Sequence, residues 1–233
     1  MCSDTELSGF LVIDKLEGKT SAFIDFLCKK KLGVKKVGHL GTLDPFATGV
    51  LVIAINKATR AIRYIKPISK VYEFVVKFGE QTTTGDKTGE VVKTDSSYPD
   101  MNALENVLTN FTGEINQVPH AFSAIKVNGK RAYQLARKGI VPEIAPRKTT
   151  VFDIKILKQL DCRMFSLTAT VSPGTYIRSL CEDIAKALDT VGHAWALRRI
   201  ADGQFSIDQA ISIDCINECD IIPIDRVVTC EQS

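Results

Sequence analysis

Long apolar runs are missing from this sequence. The longest, Val50 to Ile55, is far short of the roughly 20 residues a membrane-spanning helix needs. Met1 to Gly9 holds two acids and neither a basic nor an apolar region, so no export signal is read there. Histidine is scarce, at positions 39, 120 and 193 only, which leaves little material for a metal site. Seven cysteines (2, 28, 162, 181, 215, 219 and 230) make an odd number. Without an export signal that fits free thiols in a reducing compartment, each packing as a small hydrophobe. Cys215 and Cys219 lack the second Cys/His pair that would complete a zinc site. GxxxxGK[ST], GxGxxG and GxSxG are all absent, which excludes the common nucleotide-binding and hydrolase elbows. The expectation is a soluble, cytoplasmic protein with no metal.

What is present is an ordinary globular composition: 233 residues, 45% hydrophobic and 24% charged. That is enough chain for one full core without staples. The net charge is only +3, but it is segregated. The first seventy residues are basic in balance, and Lys126 to Lys148 holds seven bases and one acid. Residues 80–114 carry seven acids against two bases, and 202–233 seven against one. Any one cluster reads as solvated surface, but the segregation as a whole suits a polyanion partner.

The periodicities mix α and β. Phe10–Asp14 and Val50–Ile55 read as buried strands, while Val71–Phe78, Val151–Leu157 and Arg163–Val171 alternate as half-buried ones. Thr20-Ser21 caps a helix with the stripe Phe23, Ile24, Leu27 and Cys28, stopped at Gly33. Asp100 caps a second helix, ending at Gly113. A third begins after Gly174-Thr175, with Ile177, Leu180, Cys181, Ile184 and Leu188 on one face. Asn128-Gly129 signals a hairpin, and Lys130–Lys138 a short basic helix. The fold class expected is α+β, with a mixed, largely antiparallel central sheet flanked by helices.

Three segments carry polar groups that structure alone does not require. Gly38 to Gly49 holds three glycines, Pro45, His39 and Asp44 directly before a buried strand. That is a rigid loop fit for catalytic side chains, although Asp44-Pro45 also reads as a plain turn and His39 as a hydrogen-bonded loop residue. Tyr72, following Lys70, shares a register with Phe74 and Phe78 and reads as core, or as a strand-end ring on which a base could stack. In Ser172 to Arg178, a cap at Thr175 would put Arg178 in the first helical turn against the helix dipole, at a cost of about 0.3–1 kcal/mol. A carboxylate or phosphate beside it would remove that cost, with Asp44 the candidate.

These segments resemble the TruB-type tRNA pseudouridine synthases. The loop Gly38-His39-Leu40-Gly41-Thr42-Leu43-Asp44-Pro45, with Ala47-x-Gly49-Val50-Leu51, is similar to the family's signature. Around it stand Lys15-x-x-Gly18-x-Thr20-Ser21, Lys70-x-Tyr72 and Gly79-x-x-Thr82-x-Thr84-x-Asp86-x-x-Gly89. Further on come Gln117-x-Pro119, Ser123-Ala124-x-Lys126, Gly129-x-Arg131-x-Tyr133-x-x-Ala136-Arg137, Gly174-Thr175-Tyr176-Ile177-Arg178 and Leu197-Arg198-Arg199. The matches run in the family's order over residues 10–205.

The resemblance implies the pseudouridine synthase catalytic fold. It also implies isomerisation of uridine-55 in the tRNA T loop by glycosidic cleavage and rejoining through C5, with no metal or cofactor. Asp44 matches the essential aspartate, which attacks C1′ or removes a ribose proton. Tyr72 matches the ring that stacks on the flipped base, Arg178 the arginine paired with the aspartate, and His39 a space-filler in the rearranged RNA loop. Lys15, Tyr176 and Leu197 match lesser pocket residues. The basic stretch at 117–148 resembles an inserted RNA-clasping segment.

The domain expectation is a single catalytic domain over 1–233 with a short acidic tail at 204–233. No RNA-binding domain of the PUA type is expected, hence weaker or more salt-sensitive tRNA binding than in longer relatives. The chain departs from the family at Leu16, His120 and Pro173, where Pro, Pro and Lys are usual. The partner implied is the T-arm stem-loop of tRNA, bound by a monomer without a guide RNA. The competing readings are a tRNA-binding protein without catalysis, a guide-RNA-dependent synthase, and a glycosidic hydrolase. The last usually needs two carboxylates, and only Asp44 is well placed.

Overall fold

The computed structural model describes residues 7–66, 68–123, 125–127, 129–136, 139–140 and 142–228. Cys2, Ala124, Asn128, Arg137, Lys138 and Cys230, singled out above, lie outside the described residues. In chain order the elements are β1 (Gly9–Lys15), α1 (Ser21–Leu32), β2 (Val37–Leu40), β3 (Thr48–Ile55), α2 (Ala58–Ala61), β4 (Lys70–Phe78), β5 (Glu80–Thr82) and β6 (Val91–Thr94). Then follow α3 (Met101–Leu108), β7 (Gly113–Gln117), β8 (Lys126–Val127), β9 (Lys130–Arg131), α4 (Ala132–Ala136), β10 (Arg147–Gln159), β11 (Met164–Val171), α5 (Ile177–Ala187), β12 (Gly192–Asp202), β13 (Phe205–Ser206) and α6 (Ile224–Val227). The fold is α+β with a mixed, largely antiparallel sheet. The chain divides into two compact units, residues 1–70 with 198–233, and residues 71–197.

In the first unit β3 is central. β1 runs antiparallel along it from Gly9↔Ile55 to Lys15↔Gly49, and β2 pairs with its second half. The end of β12 meets its start in parallel at Arg198↔Thr48 and Arg199↔Gly49. Every residue of Val50–Ile55 is without exposed surface, so both faces of β3 are covered, which is why the run is apolar without alternation. Thr20 caps α1 by accepting from the Phe23 amide, and Gly33 ends it in the left-handed region. Of the expected stripe Ile24 and Cys28 are buried, whereas Phe23 is exposed. The acidic tail packs rather than trails. Phe10 and Ile222 exchange two backbone hydrogen bonds of 2.8 Å, and Phe205 and Val227 join Phe10, Val12 and Val52 in one core cluster. It thereby satisfies backbone groups that β1 would otherwise leave open as an edge.

In the second unit the strand order is β4-β11-β10-β7. β10 and β11 form a long antiparallel pair, and β7 adds to the start of β10 from Arg147↔Gln117 to Val151↔Gly113. Phe74, Val76, Phe78, Phe165, Leu167 and Ala169 are buried, as the alternation predicted. Asp100 caps α3 as expected. β8 and β9 form the expected hairpin, pairing Lys126↔Arg131 and Val127↔Lys130. The strand β12 was not foreseen, because the buried charge of Arg199 breaks the alternation that would have revealed it.

Candidate active site

In the first unit the loop between β2 and β3 presents Asp44. Residues 44–47 form a β-turn closed by the Ala47 amide donating to Asp44 O at 3.1 Å, with Pro45 at the position that suits its fixed φ. The turn reading of Asp44-Pro45 is therefore correct. His39, in β2, directs Nδ1 to Asp25 Oδ2 at 2.7 Å and Nε2 to Thr42 Oγ1 at 3.1 Å. Lys15, on β1, has no exposed surface. Its Nζ donates to the carbonyls of Leu16, Lys19 and Pro45 at 3.0, 2.8 and 3.2 Å. Burial pulls its pKa down to about 8, while the opposite charges of Asp44 and Glu17 act to hold it up.

In the second unit Arg178 occupies the first turn of α5 and is 3% exposed. The residue before that helix is Tyr176, not the expected Thr175, and it makes no side-chain cap. Gln117 takes over the role: its Oε1 accepts from the Tyr176 amide at 2.7 Å, and its Nε2 donates to Tyr176 O at 3.1 Å. The Arg178 guanidinium donates to Thr84 O at 2.7 Å and Phe122 O at 2.9 Å. It lies 3.6 Å from Asp86 Oδ2. A carboxylate beside this cation is what the dipole argument asked for. Asp86 entered the sequence reading only as a motif letter. Its Oδ1 accepts from Thr84 Oγ1 and the Thr88 amide, both at 2.9 Å, so the Thr-x-Thr-x-Asp spacing is a turn that aims the second carboxylate oxygen. Tyr72 faces inward with Phe74, and Leu197 on β12 is also buried.

Sequence reasoning missed a half-buried titratable pair near Arg178. Glu182 Oε1 lies 3.7 Å from His120 Nε2. Burial, and then the charge of Asp183, lift the Glu182 carboxyl to about 7. Burial and then Arg178 push His120 down to about 4. A carboxyl whose folded pKa is raised binds its proton more tightly in the native state. The stability it contributes at low pH is lost as pH rises from about 4.5 through about 7. Glu182→Gln removes that loss and leaves the opposing His120 contribution in place. The variant is expected to gain on the parent protein between about pH 5 and pH 7.5, measured as urea midpoints at both pH values. A midpoint difference independent of pH would refute the assignment.

The comparisons with known proteins fit these motifs. The model of the TruB family pseudouridylate synthase N-terminal domain matches residues 29–177. The chain belongs to the TruB family. It is 41% identical over 210 residues to tRNA pseudouridine synthase B of Caulobacter vibrioides, covering 90% of this chain and 68% of that protein. With the Aquifex aeolicus enzyme of the same name it shares 43% over 212 residues, covering 89% and 73%. Among solved structures, a Cbf5-Nop10-Gar1 complex superposes with a TM-score of 0.73 at 27% identity. An H/ACA RNP bound to a substrate RNA containing 2′-deoxyuridine superposes with 0.70 at 26%. Those alignments take in 96% and 94% of this chain but only 62% and 60% of theirs, so this chain spans about three-fifths of each. The family is one of isomerases, and the fold expected from the resemblance is the fold found.

Asp44, His39 and Lys15 thus sit in the first unit, and Tyr72, Arg178, Tyr176 and Leu197 in the second. Lys126, Lys130, Arg131 and Arg147 are exposed on and after the β8–β9 hairpin, with Lys148 pairing Glu114 at 2.8 Å. Among the described residues no three His, Cys, Asp or Glu side chains gather as metal ligands, the five described cysteines are free, and no helix is long and apolar enough to cross a membrane. Cys28 and Cys181 are buried as expected, but Cys162, Cys215 and Cys219 are exposed, so the packing role holds for two of the five.

Proposed function

We propose that this protein converts uridine-55 in the T loop of tRNA to pseudouridine as a standalone enzyme, with Asp44 as its catalytic group. Identity of 41% and 43% to enzymes named tRNA pseudouridine synthase B, extending through the Asp44 loop, carries the reading. The reaction rearranges one nucleotide. The C1′–N1 bond breaks, N1 ends with a proton, the freed uracil turns, C5 bonds to C1′, and the C5 hydrogen leaves to water.

A base inside a folded RNA loop must first be extruded, which costs a few kcal/mol. Tyr72 as stacking platform and the exposed Lys126, Lys130, Arg131 and Arg147 as phosphate contacts offset that cost. By resemblance Arg178 pairs with the Asp44 carboxylate, His39 occupies space opened in the rearranged loop, and Lys15, Tyr176 and Leu197 shape the pocket. The catalytic domain is taken to extend over 1–233, acting as a monomer in the cytoplasm without metal, cofactor or guide RNA.

The experiment is a bare T-arm stem-loop transcript tritiated at uracil C5. Tritium released to water with no added RNA is the expected result. RNA bound without release would point to a guide-dependent enzyme or to a binding protein, and free uracil as product to a hydrolase. Either would overturn the proposal.

A further inference from the structure

Gly18, Ser21, Lys70 and the second arginine of Leu197-Arg198-Arg199 have no task in the chemistry above, yet together with Lys15 they converge on one segment of main chain. Ser21, the first residue of α1 and 2% exposed, donates its hydroxyl to Leu43 O at 3.0 Å and accepts from the Leu43 amide at 3.0 Å. One side chain thereby closes both hydrogen-bonding groups of the residue before Asp44. On the other side, Pro45 O accepts from the Gly18 amide at 2.8 Å and from Lys15 Nζ at 3.2 Å.

The loop's ends are held by Arg199, which has no exposed surface. Its NH2 donates to Gly41 O at 2.9 Å and its Nε to Val50 O at 2.7 Å. Its NH1 lies 3.4 Å from Asp202 Oδ2, the oxygen that also receives Lys70 Nζ at 2.8 Å. Gly41 is packed so closely that a Cβ there would sit 2.3 Å from Lys70 Nζ. A fully buried arginine is an expensive way to gain stability, because apolar residues of similar volume often do as well or better. A planar fork with separate N–H donors does what they cannot: it ties two carbonyls nine residues apart in sequence into one geometry.

We infer that Ser21 and Arg199 are positioning residues that lock the backbone around Asp44 before RNA arrives. This rests on the reading of Asp44 as the catalytic group. A carboxylate that must meet one sugar carbon or proton loses rate steeply when its main chain wanders, by about a hundredfold for a displacement near 1 Å. With Leu43 and Pro45 both gripped, Asp44 retains only its side-chain torsions.

The test uses the full chain and the tritiated T-arm hairpin, under single turnover at saturating RNA, with the RNA dissociation constant measured separately. Ser21→Ala, which removes one hydroxyl from a helix end, is expected to slow the step about tenfold. Arg199→Lys keeps the charge beside Asp202 but loses the planar fork whose Nε and NH2 hold the two carbonyls, and is expected to slow it about a hundredfold. Both should leave the dissociation constant within about twofold, since neither side chain is exposed to RNA. Because Arg199→Lys disturbs a buried ion network and can fail to fold, Ser21→Ala carries the decision.

Amide hydrogen exchange over residues 41–50, without RNA, supplies the second readout. Ser21→Ala should expose the Leu43 amide and speed exchange there while leaving β1 and α1 protected. An unchanged single-turnover rate, unchanged Leu43 exchange, or loss of RNA binding in step with rate would each overturn the inference. If the parent protein itself releases no tritium, the catalytic reading of Asp44 fails. The exchange measurement still decides whether Ser21 holds the loop.

Discussion

Asp44→Asn is expected to lower tritium release from the T-arm hairpin by at least about a thousandfold while leaving RNA affinity within about threefold. The amide matches the carboxylate in size. Leu43 and Pro45 stay gripped by Ser21, Gly18 and Lys15, so the loop keeps its shape. On the proposed reading, what disappears is the electron pair that attacks C1′ or the base that takes a ribose proton, and removing such a group costs catalysis rather than binding. Affinity is expected to survive because the proposal assigns it to phosphate contacts from cations elsewhere, among them Lys126, Lys130 and Arg131, which are exposed. The check is a pair of measurements, single-turnover release and a filter-binding isotherm in the same buffer. Residual activity above about a tenth of the parent's would remove Asp44 from the chemistry. A parallel collapse of binding would make it an RNA contact instead.

The second large effect is on folding. Gly49 has φ of +95°, and a Cβ there would lie 2.2 Å from Arg199 O, 2.8 Å from its N and 3.0 Å from its C. All three are main-chain atoms of β12, which runs beside Gly49 in parallel pairing, while Lys15 of β1 pairs with Gly49 on the other side. No side chain can rotate away to make room. Gly49→Ala combines this overlap, typically about 1–3 kcal/mol or more, with the strain of a left-handed backbone, about 1–2 kcal/mol. The sum, about 2–5 kcal/mol, is a large share of the roughly 5–15 kcal/mol that separates folded from unfolded chains. Urea denaturation should show it as a lower midpoint with little change in slope. A loss under about 1 kcal/mol would mean that the sheet opens there at little cost.

These two predictions differ in how much of their basis was visible beforehand. Asp44 could be singled out from the loop's composition and then from its resemblance to a known signature. That Gly49 must be glycine became visible only when β12 came to lie against it, because the distance that forbids a Cβ is set by a residue 150 positions later.

The sequence by itself determined the local elements. Thr20 and Asp100 cap their helices through side chains one turn away, and β4, β10 and β11 follow from period-two alternation. It determined the family as well, because the motifs are short-range in spacing and ordered along the chain. Only the tertiary structure decided where buried charge goes. Arg199 on β12, Gln117 capping α5 in place of Thr175, Asp86 beside Arg178, and Glu182 near His120 each depend on a partner many residues away. Periodicity reports which face of an element is dry, and it assumes that a dry face is apolar. A buried arginine or carboxylate violates that assumption and is stable only because distant groups supply its hydrogen bonds and opposite charge, and no pattern within a short window records those groups.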